Sequence, residues 1–130
     1  MNTVNVIVDG GPTVTVGWVS GMNAQQALEA AFNQINNSQQ FTYAMQYYGT
    51  QLGYMVIMIN ETYDSFISSA APYFYWALLY NGNPATTGID GLILNAGDTV
   101  EFNFTTYVPG ASGQGVLLDA KYQLQQRAKG

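Results

Sequence analysis

The run from Tyr75 to Phe104, YWALLYNGNPATTGIDGLILNAGDTVEFNF, constrains the fold more than any other part of the chain. It opens inside an aromatic-rich strand over residues 73–80. Asn81-Gly82 follows, a pair suited to a two-residue hairpin turn whose central positions both need positive φ. Gly88-Ile89-Asp90-Gly91 reads as a loop, and Leu92-Ile93-Leu94 as a short apolar strand. Asn95-Ala96-Gly97-Asp98 makes a second turn. Val100, Phe102 and Phe104 then alternate with Glu101, Asn103 and Thr105, the period of a strand with one buried face. Trp76 reads as core, because aromatics supply much of the buried area of a sheet. Asp90 and Asp98 sit in glycine-containing turns, where an Asp commonly accepts hydrogen bonds from nearby backbone amides.

The N-terminal half supplies the other elements. Val4, Val6 and Val8 alternate with other residues, Asp9-Gly10-Gly11-Pro12 breaks the run, and Val14, Val16 and Trp18 resume it, as in a β-hairpin. Ser20-Gly21-Met22-Asn23 offers helix-capping side chains. From Ala24 the period changes: Ala24, Ala27, Leu28, Ala31, Phe32 and Ile35 share one face at helical spacing, with Gln25, Gln26, Glu29 and Gln34 opposite. Asn36-Asn37-Ser38 ends this amphipathic helix. Residues 41–48 and 54–60 read as two further strands around Gly49-Thr50-Gln51-Leu52-Gly53. The second is apolar on both faces, with Tyr54, Val56 and Met58 on one and Met55, Ile57 and Ile59 on the other, which marks a central or doubly covered strand. Residues 61–71 are more polar, a loop or a hairpin extension. The order ββα followed by about four strands predicts an α+β domain, one amphipathic helix on a mixed, mostly antiparallel sheet. The domain is expected to span residues 1–108. Residues 109–130 form a C-terminal extension whose pattern fits an added strand or a short helix.

Charge narrows the function. Only 8% of the 130 residues are charged, against about 25% in an average soluble domain. The three cations, Lys121, Arg127 and Lys129, all lie in the last ten positions, and the eight carboxylates all precede them. Nucleic acid needs Lys and Arg to replace phosphate counterions, so it is excluded as a partner. No glycine-rich phosphate loop is present. The chain has neither His nor Cys, which removes Ser-His-Asp and Cys-His catalysis, thiolate zinc sites and disulfides. The carboxylates show neither calcium-loop spacing nor an evident glycosidase pair. A non-enzymatic protein that requires no cofactor is the expectation. No segment reaches the length of a membrane span. The N-terminal MNTVNVIVDGG lacks a basic region and a cleavage site, so it does not read as a signal peptide. The absence of Cys fits a reducing cytoplasm or a Cys-free exported protein equally.

The order of these elements resembles a known module. A strand-turn-strand, a helix, an aromatic strand, a Gly-aromatic strand, Tyr75-Trp76-Ala77-Leu78-Leu79, Gly88 to Gly91, and Gly97-Asp98-Thr99-Val100-Glu101-Phe102-Asn103-Phe104 resemble the small C-terminal β-domain of the vitamin B12 carriers transcobalamin and intrinsic factor. The prokaryotic form of this module is the domain of unknown function DUF4430. The resemblance covers roughly residues 4–107 and implies a β-grasp-like fold. It also implies that the domain caps one face of a corrinoid (cobalamin) or another flat, partly apolar ligand. The implied contacts are Gln51, Leu52, Gly53, Tyr54 and Val56 around the loop before the second apolar strand, Leu78 on the YW strand, and Ala85 after the Asn-Gly hairpin. At Leu52 the carriers have Trp, and at Ala85 a larger side chain. Their large helical domain, which holds the other face of the ligand, has no counterpart in these residues. A separate partner domain and an extracellular or cell-surface location are further implications of the resemblance.

Two readings of the aromatic residues stay open. Tyr47, Tyr48, Tyr54, Tyr73, Tyr75 and Tyr80 form either an exposed recognition surface or cross-strand pairs within the fold. Low charge and many Tyr, Asn and Gln also suit a structural, self-assembling protein, a homo-oligomer paired through sheet edges.

Overall fold

The structure, a computed structural model, describes residues 2–50, 53–65 and 73–106. The extension over 109–130 therefore lies outside the described residues. Strand β1 (Thr3–Val8) and β2 (Thr13–Gly17) form the predicted hairpin, joined at Asp9–Pro12. Their valines all point one way: Val4, Val6, Val8, Val14 and Val16 are buried, while Thr13, Thr15 and Gly17 are exposed.

Helix α1 (Ala24–Ile35) lies over this hairpin. Asn23 starts it with a capping box: Asn23 Oδ1 accepts from the Gln26 amide at 2.8 Å, and Gln26 Oε1 accepts from the Asn23 amide at 2.9 Å. Asn36 ends it in the left-handed region, its N–H bonded to Phe32 O. The face between these caps buries Ala24, Ala27, Leu28 and Ala31. Three of those four residues are alanines, so the helix axis can approach the valine face closely.

The remaining strands are β3 (Tyr43–Tyr47), β4 (Tyr54–Ile59), β5 (Thr62–Tyr63), β6 (Phe74–Tyr80), β7 (Asn83–Pro84) and β8 (Thr99–Thr106). They divide between two sheets. One has the order β2-β1-β8-β6-β7, and the other β3-β4-β5. The α+β architecture stands, with one helix on a mixed five-stranded sheet and a small antiparallel sheet beside it. β8 runs parallel to β1 and antiparallel to β6, so the chain's first and last described strands are neighbours, as in a β-grasp. The β6–β8 register sets Trp76 against Phe104, Leu78 against Phe102 and Tyr80 against Val100. Trp76 is core, and its indole N–H finds Thr62 O at 2.9 Å. Asn81 and Gly82 turn the chain with φ of 49° and 87°, the type of turn their identity predicts.

Two local readings are corrected. β4 does not present two regular faces. Its pairing with β3 jumps from Ala44↔Met58 to Met45↔Val56, so Ile57 is a bulge with no residue opposite it in β3. The bulge resets the alternation, and Val56 and Ile59, three residues apart, both reach the main core. Met55 and Met58 are buried as well, so the strand is both central and covered twice. Residues 92–94 are also not a strand. Ile93 makes one bridge to Asn23, and pairing stops there because the partner chain becomes α1. Leu92 O accepts from the Ala24 amide at 2.9 Å, and the Leu94 amide donates to Met22 O at 2.8 Å. Leu94 is buried, whereas Ile93 is exposed.

Asn23 therefore caps the helix and pairs with the 88–94 segment, to which its Nδ2 also donates (Asp90 O, 3.1 Å). Asn23→Ala should lower stability by about 1–2 kcal/mol, at or above the usual loss of a helix cap. Urea unfolding followed by circular dichroism measures it, and a loss of only a few tenths would show that the cap is dispensable.

Candidate functional site

The residues singled out by resemblance fall into three groups. Gln51 and Leu52 lie outside the described residues. Gly53 and Tyr54 sit where the β3–β4 loop enters β4. Val56, Leu78 and Ala85 are core residues, each 3% exposed. Ala85 N–H bonds Leu78 O at 2.9 Å. Those three side chains can back a surface but do not form one.

Gly53 and Tyr54 are held from two sides. The loop closes on itself through Gly53 N–H to Gly49 O at 2.7 Å and Tyr48 N–H to Gly53 O at 2.8 Å. The other side is Asp90. Its Oδ1 accepts from the Tyr54 amide at 2.9 Å, and Tyr54 O in turn accepts from the Ile89 amide at 3.1 Å. Asp90 thus bonds 36 residues away along the chain rather than within its own turn. That corrects the local reading of this residue, and nothing in the spacing of Gly88-Ile89-Asp90-Gly91 signals the partner. Gly53 has φ of 75°, and a Cβ there would run into the Asp90 carboxylate. Glycine is required on both counts. The same loop reaches the start of α1, where Ile89 O accepts from the Gln25 amide at 3.1 Å and Asp90 O from Asn23 Nδ2. Two loops and a helix end therefore meet at Asp90, one loop through its carboxylate and the helix end through its backbone carbonyl.

The tyrosines do not gather into one surface. Tyr47 and Tyr54 pair across β3 and β4 with ring centroids 4.7 Å apart, and Tyr47 is 51% exposed. This aromatic pair flanks the Gly53–Asp90 contact. Tyr43 instead packs edge-on against Phe32 at 5.6 Å and near Phe41 at 5.8 Å. Tyr48 donates to Gln46 Oε1 at 3.0 Å, and burial, reinforced by the Asp64 charge, pushes its hydroxyl pKa well above the usual value. Burial likewise raises Tyr75.

Tyr80 belongs to a separate network at the hairpin. Its hydroxyl donates to Asp98 Oδ2 at 2.6 Å. The Asn95 amide donates to the same oxygen at 2.7 Å, and Asn81 Nδ2 to Oδ1 at 3.1 Å. Asp98 makes the expected local turn bond and two longer-range ones. Burial pushes the Asp98 pKa up, but the bonds from Tyr80, Asn95 and Asn81 outweigh it and hold the carboxyl below the ordinary carboxylate value. The Tyr80 hydroxyl is raised, first by its bond to Asp98 and then by burial and the Asp98 charge. No group of three or more potential metal ligands occurs among the described residues, and no described helix is long and apolar enough to cross a membrane.

Gly53→Ala should destabilise the protein by more than about 1 kcal/mol, from positive φ and from the collision with Asp90. Asp90→Ala should cost about 1–3 kcal/mol, because the Tyr54 amide loses its acceptor. The double variant should cost less than the sum, since removing the carboxylate also removes the collision. Additive losses in urea titrations would show that the two residues do not touch. A separate prediction concerns pH. Stability from Asp98 is present above its unfolded pKa and lost as pH falls through the lower folded value. Stability from Tyr80 is present below its unfolded pKa and lost as pH rises through the higher folded one. In a carboxyl NMR titration Asp98 should titrate below the ordinary Asp range, and Tyr80→Phe should move it upward. An unmoved Asp98 titration would exclude the coupling.

The chain as a whole is similar to known proteins. The family described as "Domain of unknown function (DUF4430)" matches residues 21–106. Among solved structures, haptocorrin in complex with Cbi is similar with a TM-score of 0.65 and 22% identity, over 82% of this chain and 25% of that one. The chain thus spans about a quarter of haptocorrin. A protein from Ruminococcus gnavus described as metal binding is similar at a TM-score of 0.48 and 14% identity, over 82% of this chain and 96% of that one. No curated protein matches the sequence. With the family match covering more than half of its length, the chain belongs to the DUF4430 family.

Proposed function

We propose that this domain is a non-catalytic binding module that caps one face of a flat, partly apolar ligand, with a corrinoid as the favoured class. The Asp90 clamp carries the reading. It holds the Gly53–Tyr54 backbone against residues 88–91 and leaves the Tyr47–Tyr54 pair beside it as a partly exposed aromatic platform. A backbone held at Gly53 and Tyr54 loses little conformational freedom there on binding, so more of the contact energy survives as affinity. The fold likeness to haptocorrin, described in complex with Cbi, supports a binding role and directs the choice of ligand. Gln51 and Leu52, outside the described residues, remain contacts implied by the resemblance. Val56, Leu78 and Ala85 give the platform a packed apolar backing, so they fix its shape without supplying the contact surface. A domain that covers one face binds more weakly than a closed clamp, and a separate domain or chain supplies the opposite face in this reading.

Titration with cyanocobalamin and with cobinamide, followed by absorbance and calorimetry, tests this. Saturable binding is expected, weakened about tenfold by Tyr54→Ala, the scale of loss at a central aromatic contact. Circular dichroism confirms that the variant is folded. No signal at high micromolar corrinoid would remove the ligand assignment.

A further inference from the structure

Among the described residues, the edges of the two sheets are not alike. β7 is two residues long and ends in Pro84. β5 is also two residues long and follows Glu61. β3 belongs to the bulged pair. Shortness, proline, charge and bulges are the devices by which sheets discourage pairing with another chain. β2 has none of them. It is five residues of TVTVG, in unbroken register with β1 from Thr3↔Gly17 to Ile7↔Thr13. Residues 10–28 around it contain no charged side chain.

The direction of its backbone groups follows from the ladder. Trp18 N–H bonds Asn2 O at 3.0 Å and Val8 N–H bonds Pro12 O at 2.9 Å. These bonds have the parity of the pairs Val4↔Val16 and Val6↔Val14. In an antiparallel ladder hydrogen-bonded and non-bonded pairs alternate. Val14 and Val16 therefore turn their amides and carbonyls toward β1, and Thr13, Thr15 and Gly17 turn theirs outward. Among the described residues β2 pairs with β1 alone.

We propose that β2 pairs antiparallel with β2 of a second copy of this chain, about a two-fold axis at Thr15. The outward groups are self-complementary. Thr15 meets Thr15 of the second copy, and Thr13 meets Gly17, each pair exchanging two backbone bonds. Val14 then faces Val16 on the helix side, and the threonines face each other on the other side, so the valine faces of the two copies lie on one side of a continuous sheet. An uncharged edge brings no like charges together and offers nothing that would select a charged partner. A copy of itself is the occupant that fits in register and chemistry.

Light scattering after size exclusion and amide exchange, both on the full chain over a range of concentrations, test the pairing. Twice the monomer mass is expected at high micromolar protein, with the Thr13, Thr15 and Gly17 amides exchanging at least about tenfold more slowly there than at high dilution. Thr15→Lys should give a monomer, because two lysines would meet at the axis. Thr15→Pro should do the same while keeping the β1–β2 ladder, since the N–H it removes points outward. Thr86→Lys, on an exposed loop, should leave the dimer intact. Three results would each overturn the proposal: a dimer that survives both Thr15 variants, a monomer whose three amides are protected at every concentration and so covered from within the chain, or a monomer with all three exchanging fast.

Discussion

Asp90 ties together, through its carboxyl group and its backbone carbonyl, elements that the strand ladders leave separate. The two sheets are separate hydrogen-bonded units, and no ladder carries the β3–β4 loop to the 88–91 loop or to the start of α1. The bond from Tyr54 N–H to Asp90 Oδ1 joins the β3–β4 loop to the 88–91 loop, and the bond from Asn23 Nδ2 to the Asp90 backbone carbonyl joins the 88–91 loop to the start of α1. A hydrogen bond to a charged group contributes about 1.5–3 kcal/mol, a large share of the margin by which a small domain is stable. Gly53 completes the arrangement by leaving room for the carboxyl group at its surface.

The bulge at Ile57 has a comparable role in packing. In a regular strand, residues three apart face opposite ways. The extra residue brings Val56 and Ile59 into one core and leaves Met55 and Met58 buried as well. The three-stranded sheet can then contribute to the core beneath α1 and continue into the loop that carries Gly53 and Tyr54. The candidate site therefore rests on packed residues. Val56, Leu78 and Ala85 belong to the core cluster against which Tyr54 packs, and Tyr47 is exposed beside Tyr54.

Low charge shapes both inferences about function. A chain with no cation before Lys121 cannot steer an anionic ligand by its field, so recognition rests on shape, aromatic contact and backbone groups. The same scarcity leaves β2 without the charged residues that keep sheet edges apart. The aromatic platform lies on β3 and β4 and the uncharged edge on β2, in different sheets, so ligand capping and self-pairing do not compete for the same residues.

Most of the fold was legible in the residues themselves. The valine alternation, the switch to helical period at Ala24, the capping side chains just before it, the Asn81-Gly82 turn and the apolar alternation around Trp76 and Phe102 are all local patterns of residue type. Sequence alone also determined that histidine- and thiol-dependent chemistry is absent, because absent residue types need no coordinates. Tertiary structure decided three things. Asp90 bonds a residue 36 positions away rather than its own turn. Residues 92–94 lose their strand because their partner coils into a helix. Ile57 drops out of register, which reassigns the faces of β4. In each case the outcome depends on which segment arrives opposite, and a run of residues does not encode the partner that long-range packing brings to it.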